Sequence, residues 1–287
     1  MSLLEVKDLT YTYGQGTPFV THAVNGVSFS VENGEIIGLI GHTGSGKSTI
    51  VQMLNGLIEP ESGLVLFDGK NIRTDFKKIK DVRFNIGLVF QYPEYQLFEE
   101  TVEKDISYGP SNMGLSSDEI ADRVKYAAKL VGLTDEMLKK SPFDLSGGEK
   151  RRVAIAGIIA MRPKVLILDE PTAGLDPKGR DMILSRIKEY RDETGAAVII
   201  VSHSMEDMAK TADKLLVMNR GSIEMFDKVS NVFSNVERLI DIGLDIPYVT
   251  KIAIGLNNRG FDIPKNIFTV DDLKNAILNC KKGGNLV

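Results

Sequence analysis

A continuous apolar run, Ile36-Ile37-Gly38-Leu39-Ile40, feeds without a polar break into the octapeptide Gly41-His42-Thr43-Gly44-Ser45-Gly46-Lys47-Ser48, and a helical pattern over Ser48 to Leu57 begins where it ends. A strand with no polar alternation is buried on both faces, which places it inside a mostly parallel sheet covered by helices on either side. Further apolar runs at Ile86 to Phe90, Val165 to Leu168, Ala197 to Val201 and Lys214 to Met218 are interleaved with helical patterns over Ser117 to Val131, Gly147 to Met161 and Pro177 to Thr194. Strands alternating with helices predict an α/β fold around one parallel sheet. Ahead of it, β-rich runs at Leu4 to Tyr13 and Val24 to Val31 predict an antiparallel layer, and Asn33-Gly34 predicts a hairpin joining the second run to Glu35 to Ile40.

Residues 92–160 carry helical patterns but no strand, which predicts a helical insertion on the sheet domain. After Asp227 the turn signals crowd together (Gly243, Pro247, Asn257-Asn258, Gly260, Pro264), so a boundary is expected there, with a small mixed appendage over 228–287. Its terminal KKGGNLV reads as a frayed end. A length of 287 residues suits one substantial domain with such an addition. With 35 basic against 39 acidic residues and a net charge of −4, neutralising a phosphate backbone is disfavoured as the main task. Cys280 stands alone, so no intrachain disulfide or zinc cluster is expected, and the chain reads as belonging to a reducing compartment. The start MSLLEVKDL lacks the regions of a signal peptide, and the run Val153 to Met161 is too short for a bilayer, so no membrane crossing is expected.

The octapeptide matches the Walker A pattern, and it stands between a strand and a helix as its chemistry requires. Its glycines let backbone N–H groups turn inward onto phosphate oxygens, while the helix offers its positive end to the same anion. Lys47 is placed to reach the β- and γ-phosphates, and the Ser48 hydroxyl to ligate Mg²⁺. A flexible glycine turn is the alternative, and both flanking elements count against it. Downstream, Val165-Leu166-Ile167-Leu168 ends in Asp169-Glu170, two carboxylates at the carboxyl edge of the sheet, beside the phosphate loop if the two strands are neighbours. Asp169 is expected to hold Mg²⁺ and Glu170 to polarise the attacking water. A lone Asp-Glu pair would more simply solvate a strand end; the Walker A partner reverses that preference. His203 follows Ala197 to Val201 directly, so it reaches the same edge, where a γ-phosphate or the attacking water could meet it. The rings of His22 and His42 are assigned no chemistry.

The string Leu145-Ser146-Gly147-Gly148-Glu149-Lys150-Arg151-Arg152 resembles the signature of ATP-binding cassette (ABC) ATPases, with Glu149 where glutamine is usual. The resemblance covers about residues 1–227 and implies a P-loop NTPase of ABC type: a mostly parallel sheet with an antiparallel layer and a helical subdomain. It implies ATP and Mg²⁺ at Gly41, His42, Thr43, Gly44, Ser45, Gly46, Lys47, Ser48 and Thr49. In that family the phosphate loop of one subunit faces the signature of another, so Ser146, Gly147, Gly148 and Glu149 would complete a partner's site and the chain would work as a dimer. Tyr13, in YTYG, matches the aromatic position that stacks on adenine, although an ordinary strand tyrosine would look the same. Gln91 matches the glutamine that reaches Mg²⁺ and couples the site to the helical subdomain. Asp176, in Ala173-Gly174-Leu175-Asp176, matches the loop that crosses the dimer interface, and His203 matches the switch histidine.

Gln91-Tyr92-Pro93-Glu94-Tyr95-Gln96-Leu97-Phe98-Glu99-Glu100-Thr101-Val102 is similar to the corresponding segment of energy-coupling factor (ECF) transporter ATPases, the second of the two paralogues in particular. Tyr92, Tyr95, Leu97 and Phe98 could form a groove for a helix of a membrane partner, or serve the insertion's own core. The resemblance implies an ATPase, peripheral on the cytoplasmic face of the cell membrane, that drives uptake of vitamins or transition-metal ions. It also implies a second ABC ATPase subunit, identical or paralogous, a transmembrane coupling protein and a substrate-binding membrane subunit, with residues 228–287 as a dimerisation element. No nucleic-acid partner is expected. A soluble cassette ATPase acting on nucleic acid or ribosomes is the other class with these motifs. Against it stand the short span between Lys47 and Ser146, which has no room for a long coiled coil, and the single cassette in the chain.

Overall fold

The computed structural model describes residues 2–264 and 266–283. The chain opens with β1 (Leu4–Tyr13) and β2 (Thr21–Val31), then passes to β3 (Ile36–Gly41) and α1 (Lys47–Leu54). β4 (Ser62–Phe67) and the short β5 (Lys70–Asn71) precede α2 (Ile79–Asn85) and β6 (Ile86–Val89). Between β6 and the next strand the described residues form helices only: α3 (Val102–Asn112), α4 (Ser117–Leu130), the single turn α5 (Asp135–Leu138) and α6 (Gly147–Ile159), with short 3-10 turns at Pro93–Gln96 and Pro142–Asp144. Then come β7 (Val165–Asp169), α7 (Pro177–Thr194), β8 (Ala197–Val201), α8 (Met205–Thr211), β9 (Lys214–Asn219) and β10 (Ser222–Lys228). Four helices close the chain: α9 (Val229–Ser234), α10 (Val236–Asp241), α11 (Tyr248–Asn257) and α12 (Val270–Gly283).

Two sheets form. One, in the order β2-β1-β4-β5, is antiparallel. The other, β10-β9-β3-β8-β7-β6, is parallel except at its β10–β9 edge. The hairpin expected at Asn33-Gly34 is therefore absent, because β2 ends in the antiparallel sheet and β3 starts in the parallel one. β3 is buried along its whole length and takes β8 and β9 as neighbours, which leaves it no edge for β2.

The two-residue period of the parallel strands divides the core. Ile36, Ile40, Leu166, Leu168, Val198 and Ile200 face one way, onto apolar residues of α6, α7 and α8. Ile37, Leu39, Val165, Ile167, Ile199 and Val201 face the other way, onto α1 and the antiparallel sheet. Each such side chain stabilises the fold by roughly 1.5–3 kcal/mol on burial. This two-sided cover explains why the strands read as unbroken apolar runs.

The chain beyond Asp227 does not separate at that point. Val232, Phe233, Leu239, Leu244 and Ile246 enter the core on the α6 and α7 face. Phe268 joins them, its ring 5.9 Å from that of Phe233. A separate small core comprises Val249, Ala253, Ile263, Ile267 and Leu273, with the half-buried thiol residue Cys280 packed against it. α11 and α12 carry that small core, and α11 also touches the main body: Ile254 packs against the larger core and Tyr248 N donates to Glu206 Oε1 of α8 at 2.9 Å. α12 continues through residues 281–283, where a frayed end was expected, and 284–287 lie outside the described residues. Among the described residues no helix is long and apolar enough to cross a membrane.

Candidate nucleotide site at the carboxyl edge of the parallel sheet

Because β3, β8, β7 and β6 run parallel, the segments that follow them emerge on one edge. β7 is not the neighbour of β3; β8 lies between them, so the phosphate loop, the His203 segment and the Asp169-Glu170 segment stand side by side in that order. In the loop, Gly46 adopts φ 103°, and a Cβ there would fall 2.2 Å from the Ala23 carbonyl oxygen, so only glycine fits. Lys47 starts α1 and is nearly buried, its Nζ donating to the carbonyls of Gly41 (2.7 Å) and His42 (3.0 Å). Burial lowers its pKa, while the charges of Glu170 and Asp169 oppose that shift. Thr43, Gly44 and Ser48 are exposed at the loop's mouth, and Ser45 is fully buried with an Oγ that makes no hydrogen bond with the described residues. The His42 ring serves the loop's shape: Nδ1 lies 2.8 Å from the Thr43 carbonyl and Nε2 3.3 Å from Asn219 Oδ1 at the end of β9.

Glu170 is held in an uncommon state. Its backbone is left-handed (φ 51°), and its N–H donates to the Val201 carbonyl at 3.0 Å. His203 Nε2 comes within 3.4 Å of Glu170 Oε1, which is buried and makes no hydrogen bond with the described residues. Burial, reinforced by the charge of Asp169 and opposed by that of Lys47, pushes the Glu170 carboxyl from its ordinary 4.5 to about 7. Burial also raises the Asp169 carboxyl, against the pull of Lys47. His203, half-exposed, is shifted the other way by burial and then by the charge of Lys47, so its ring is neutral at pH 7. One buried contact here was not foreseen from sequence: Thr172 Oγ1 donates to Asp207 Oδ2 at 2.9 Å, tying the Glu170 segment to the helix that follows His203.

The arrangement offers backbone donors and an ammonium for phosphates next to a carboxyl with a free oxygen, the elements of phosphoryl transfer to water. Similarity to known proteins points the same way. A family profile described as ABC transporter matches residues 24–173. The energy-coupling factor transporter ATP-binding protein EcfA2 of Clostridium perfringens is 55% identical over 283 residues, covering 98% of this chain and 99% of that protein. The protein of the same name from Clostridioides difficile is 53% identical, with both chains covered completely. The chain belongs to the ECF group of ABC transporter ATPases. Among solved structures, cbiO1 from Clostridium perfringens, part of the ABC transporter complex cbiONQ, superposes with a TM-score of 0.75 at 39% identity, over 90% of this chain and 97% of that one. The dimeric ATP-binding cassette MJ0796, bound to ADP and Pi in a post-hydrolysis state, gives 0.71 at 28% identity, over 79% of this chain and 98% of that one.

The other residues expected to serve the site stand on separate elements. Tyr13 ends β1 with a half-exposed ring, packed edge-on against Tyr11 at 4.8 Å, and its hydroxyl is 3.3 Å from Thr49 Oγ1 in the first turn of α1. Gln91, exposed, follows β6 at the same sheet edge. Ser146 and Glu149 form a capping box at the start of α6: the Glu149 carboxylate accepts from Ser146 N (2.8 Å) and Ser146 Oγ (2.7 Å). Those bonds hold the Glu149 carboxyl below its ordinary range. Ser146 and Gly147 are exposed, and among the described residues no hydrogen bond or ion pair joins 146–149 to the phosphate loop. Asp176 caps α7 instead, its Oδ1 accepting from Gly179 N at 2.8 Å.

Proposed function

We propose that this chain is the ATP-binding and ATP-hydrolysing subunit of an ECF-type ABC importer, peripheral on the cytoplasmic face of the cell membrane. It energises uptake of vitamins or transition-metal ions through a transmembrane coupling protein and a substrate-binding membrane subunit. The observation that carries the hydrolytic part is Glu170: a buried carboxyl with an unpartnered oxygen, on the sheet edge that also bears the Lys47 loop. In this reading the loop N–H groups of residues 41–49 and the Lys47 ammonium hold the phosphates, and Tyr13 carries the adenine on its face. Ionised Glu170 takes a proton from the attacking water as the oxygen–phosphorus bond forms and the bond to the bridging oxygen of ADP breaks. Neutral His203, next to that carboxylate, orients the water or the γ-phosphate.

Mg²⁺ fits the residues present. Ser48, Asp169 and Gln91 supply hydroxyl, carboxylate and amide oxygens, the hard donors this ion prefers. Among the described residues no group of three or more His, Cys, Asp and Glu forms a ready metal centre. That suits an ion held by few side chains and completed by phosphate oxygens, where it would neutralise developing charge. Replacing Glu170 with Gln should abolish ATP turnover and accumulate ATP-bound dimers, as read by size-exclusion chromatography with ATP. Unchanged turnover in that variant would sink the assignment.

The exposed Ser146–Glu149 cap supports a composite site, completed by the signature of a second cassette subunit, identical or paralogous, with Asp176 at the shared boundary. Residues 1–227 then carry the nucleotide-binding motifs, with 92–160 as the helical subdomain, and 228–287, whose first part shares the same core, help dimerisation through exposed apolar side chains such as Tyr248, Ile252 and Leu278. Docking to the membrane partner is supported by a groove of about 300 Å³ between the Pro93–Gln96 turn, α3 and α6. Leu97, Phe98, Tyr108 and Met161 line it, with Phe98 and Tyr108 edge to face at 5.0 Å, whereas Tyr92 and Tyr95 lie outside its lining. A groove of that shape and polarity suits one turn or more of an amphipathic helix. Copurification with a second, related ATPase and one multi-helical membrane protein is the expected result. A stable homodimer with a dedicated permease pair would point to another class of importer.

A further inference from the structure

Arg151, in the second turn of α6, is buried to 4% exposure and is shared among three segments that carry site residues. Its Nε and Nη2 bond both oxygens of Glu94, at 3.1 and 2.8 Å, in the 3-10 turn that follows Gln91 and whose Pro93 and Gln96 line the groove. Its Nη1 donates to the Ala173 carbonyl, and the Ala173 N–H in turn donates to the Glu170 carbonyl at 3.2 Å. Its guanidinium also lies 6.0 Å from the centre of the Tyr92 ring. Two bulky residues next to these contacts, Tyr92 (φ 54°) and Glu170 (φ 51°), sit in the left-handed region, where a side chain is disfavoured unless the surroundings hold it. The guanidinium therefore braces both strained positions, from a helix whose first residues are the exposed signature.

We propose that Arg151 is a positioning residue that transmits movement of the groove's Pro93–Gln96 turn to the Glu170–Ala173 turn, so that docking at the groove sets the hydrolytic carboxylate. The transmitted part rests on the reading of the groove as the membrane partner's seat. A planar, five-donor guanidinium can bond two oxygens of Glu94 and the Ala173 carbonyl together, and an ammonium cannot match that fork.

The test uses the full chain, alone and in its complex with the second ATPase and the membrane partner in lipid nanodiscs, with kcat, KM for ATP and thermal melting read for each variant. R151Q should lower kcat at least tenfold with KM changed less than twofold, and R151K should recover less than a third of the loss. The double variant R151Q/E94Q should be no slower than R151Q, because both remove one linkage. A lower melting temperature with unchanged kcat in the folded fraction, or a kcat loss fully rescued by lysine, would overturn the positioning role. Should R151Q fail to fold, E94Q decides: the ratio of complex rate to isolated-chain rate should fall at least fivefold, and an unchanged ratio refutes the transmission. If the wild-type chain captures no membrane partner, the docking reading fails by itself, while the kcat of R151Q still settles whether Arg151 positions Glu170.

Discussion

Glu170→Gln should make the fold more stable at pH 8 while it stops hydrolysis, and the size of the gain follows from the site. The carboxyl titrates near 7 in the folded chain against an ordinary 4.5. Between those values the unfolded chain has already released this proton and the folded chain still holds it. Stability therefore falls as pH rises through that window, and the loss is complete above about 7. At 1.36 kcal/mol per pH unit the full penalty has a ceiling of roughly 3 kcal/mol, and screening at the open sheet edge reduces it to about 1–2 kcal/mol. Glutamine keeps the shape and removes the charge, so its melting temperature at pH 8 should exceed the wild type's by about 2–5 °C for a chain of this size. At pH 5, where the wild-type carboxyl is protonated, the two should melt within a degree or so of each other. Scanning calorimetry without nucleotide, at both pH values, measures this. A loss of stability at pH 8, or an equal gain at both, would refute the account of Glu170 as an ionisable group held against its solvation.

Lys47→Ala removes the charge-assisted donor of the phosphate loop and should weaken ATP binding by roughly tenfold to a hundredfold, as read by calorimetric titration. Tyr13→Ala should raise the ATP Kd by about two- to tenfold and Tyr13→Phe hardly at all, because the ring face and not the long 3.3 Å hydroxyl contact is expected to matter. Ser146→Ala removes the cap of α6 and should cost about 1 kcal/mol in thermal unfolding; it should reduce steady-state hydrolysis while leaving ATP binding to the isolated chain unchanged. The acidic limb of the rate profile, expected near pH 7 from Glu170, should move down in both Asp207→Asn and Asp207→Ala, since the charge of Asp207 contributes to raising that carboxyl.

The strand, loop and helix at 36–54 were legible because one pattern, unbroken apolar followed by glycines and Lys-Ser, has one physical solution. The parallel strands were legible for the same reason, each being buried on both faces. Elements that were missed are the ones that show one face or none. β4 buries only Val65 and Phe67, β10 is half-buried throughout or exposed, and α3 contains Gly109 and Pro110, which read as breakers although Pro110 is buried in the helix. The Asn33-Gly34 turn misled because a hairpin preference is local, whereas the choice of sheet for β3 was made by its burial. Site residues that answer to a spacing, from Gly41 to Ser48 and from Ser146 to Glu149, could be read in order. Arg151 and Asp207 could not, because what each one holds lies far away along the chain: Glu94 and Ala173 for the first, Thr172 for the second.

Those two contacts bear on why Glu170 can keep a displaced pKa at all. A carboxyl with a buried, unpartnered oxygen would lower its free energy by rotating toward water or by relaxing its left-handed backbone. Relaxation is blocked on both sides: Arg151 fixes the Ala173 carbonyl from α6, and Asp207 fixes the Thr172 hydroxyl from α8. The N–H of Glu170 itself is fixed to Val201, the residue opposite Asp169 in the sheet. The loop is thus pinned by the helix that starts at Gly147 and by the helix that follows His203, while the sheet supplies the floor. Any rotation of α6 or α8 must move the carboxyl relative to the Lys47 loop, which stands on a different strand. If Glu170 acts on the attacking water as proposed, a change in the packing of these three elements should alter the rate of hydrolysis while the side chains around it stay in place.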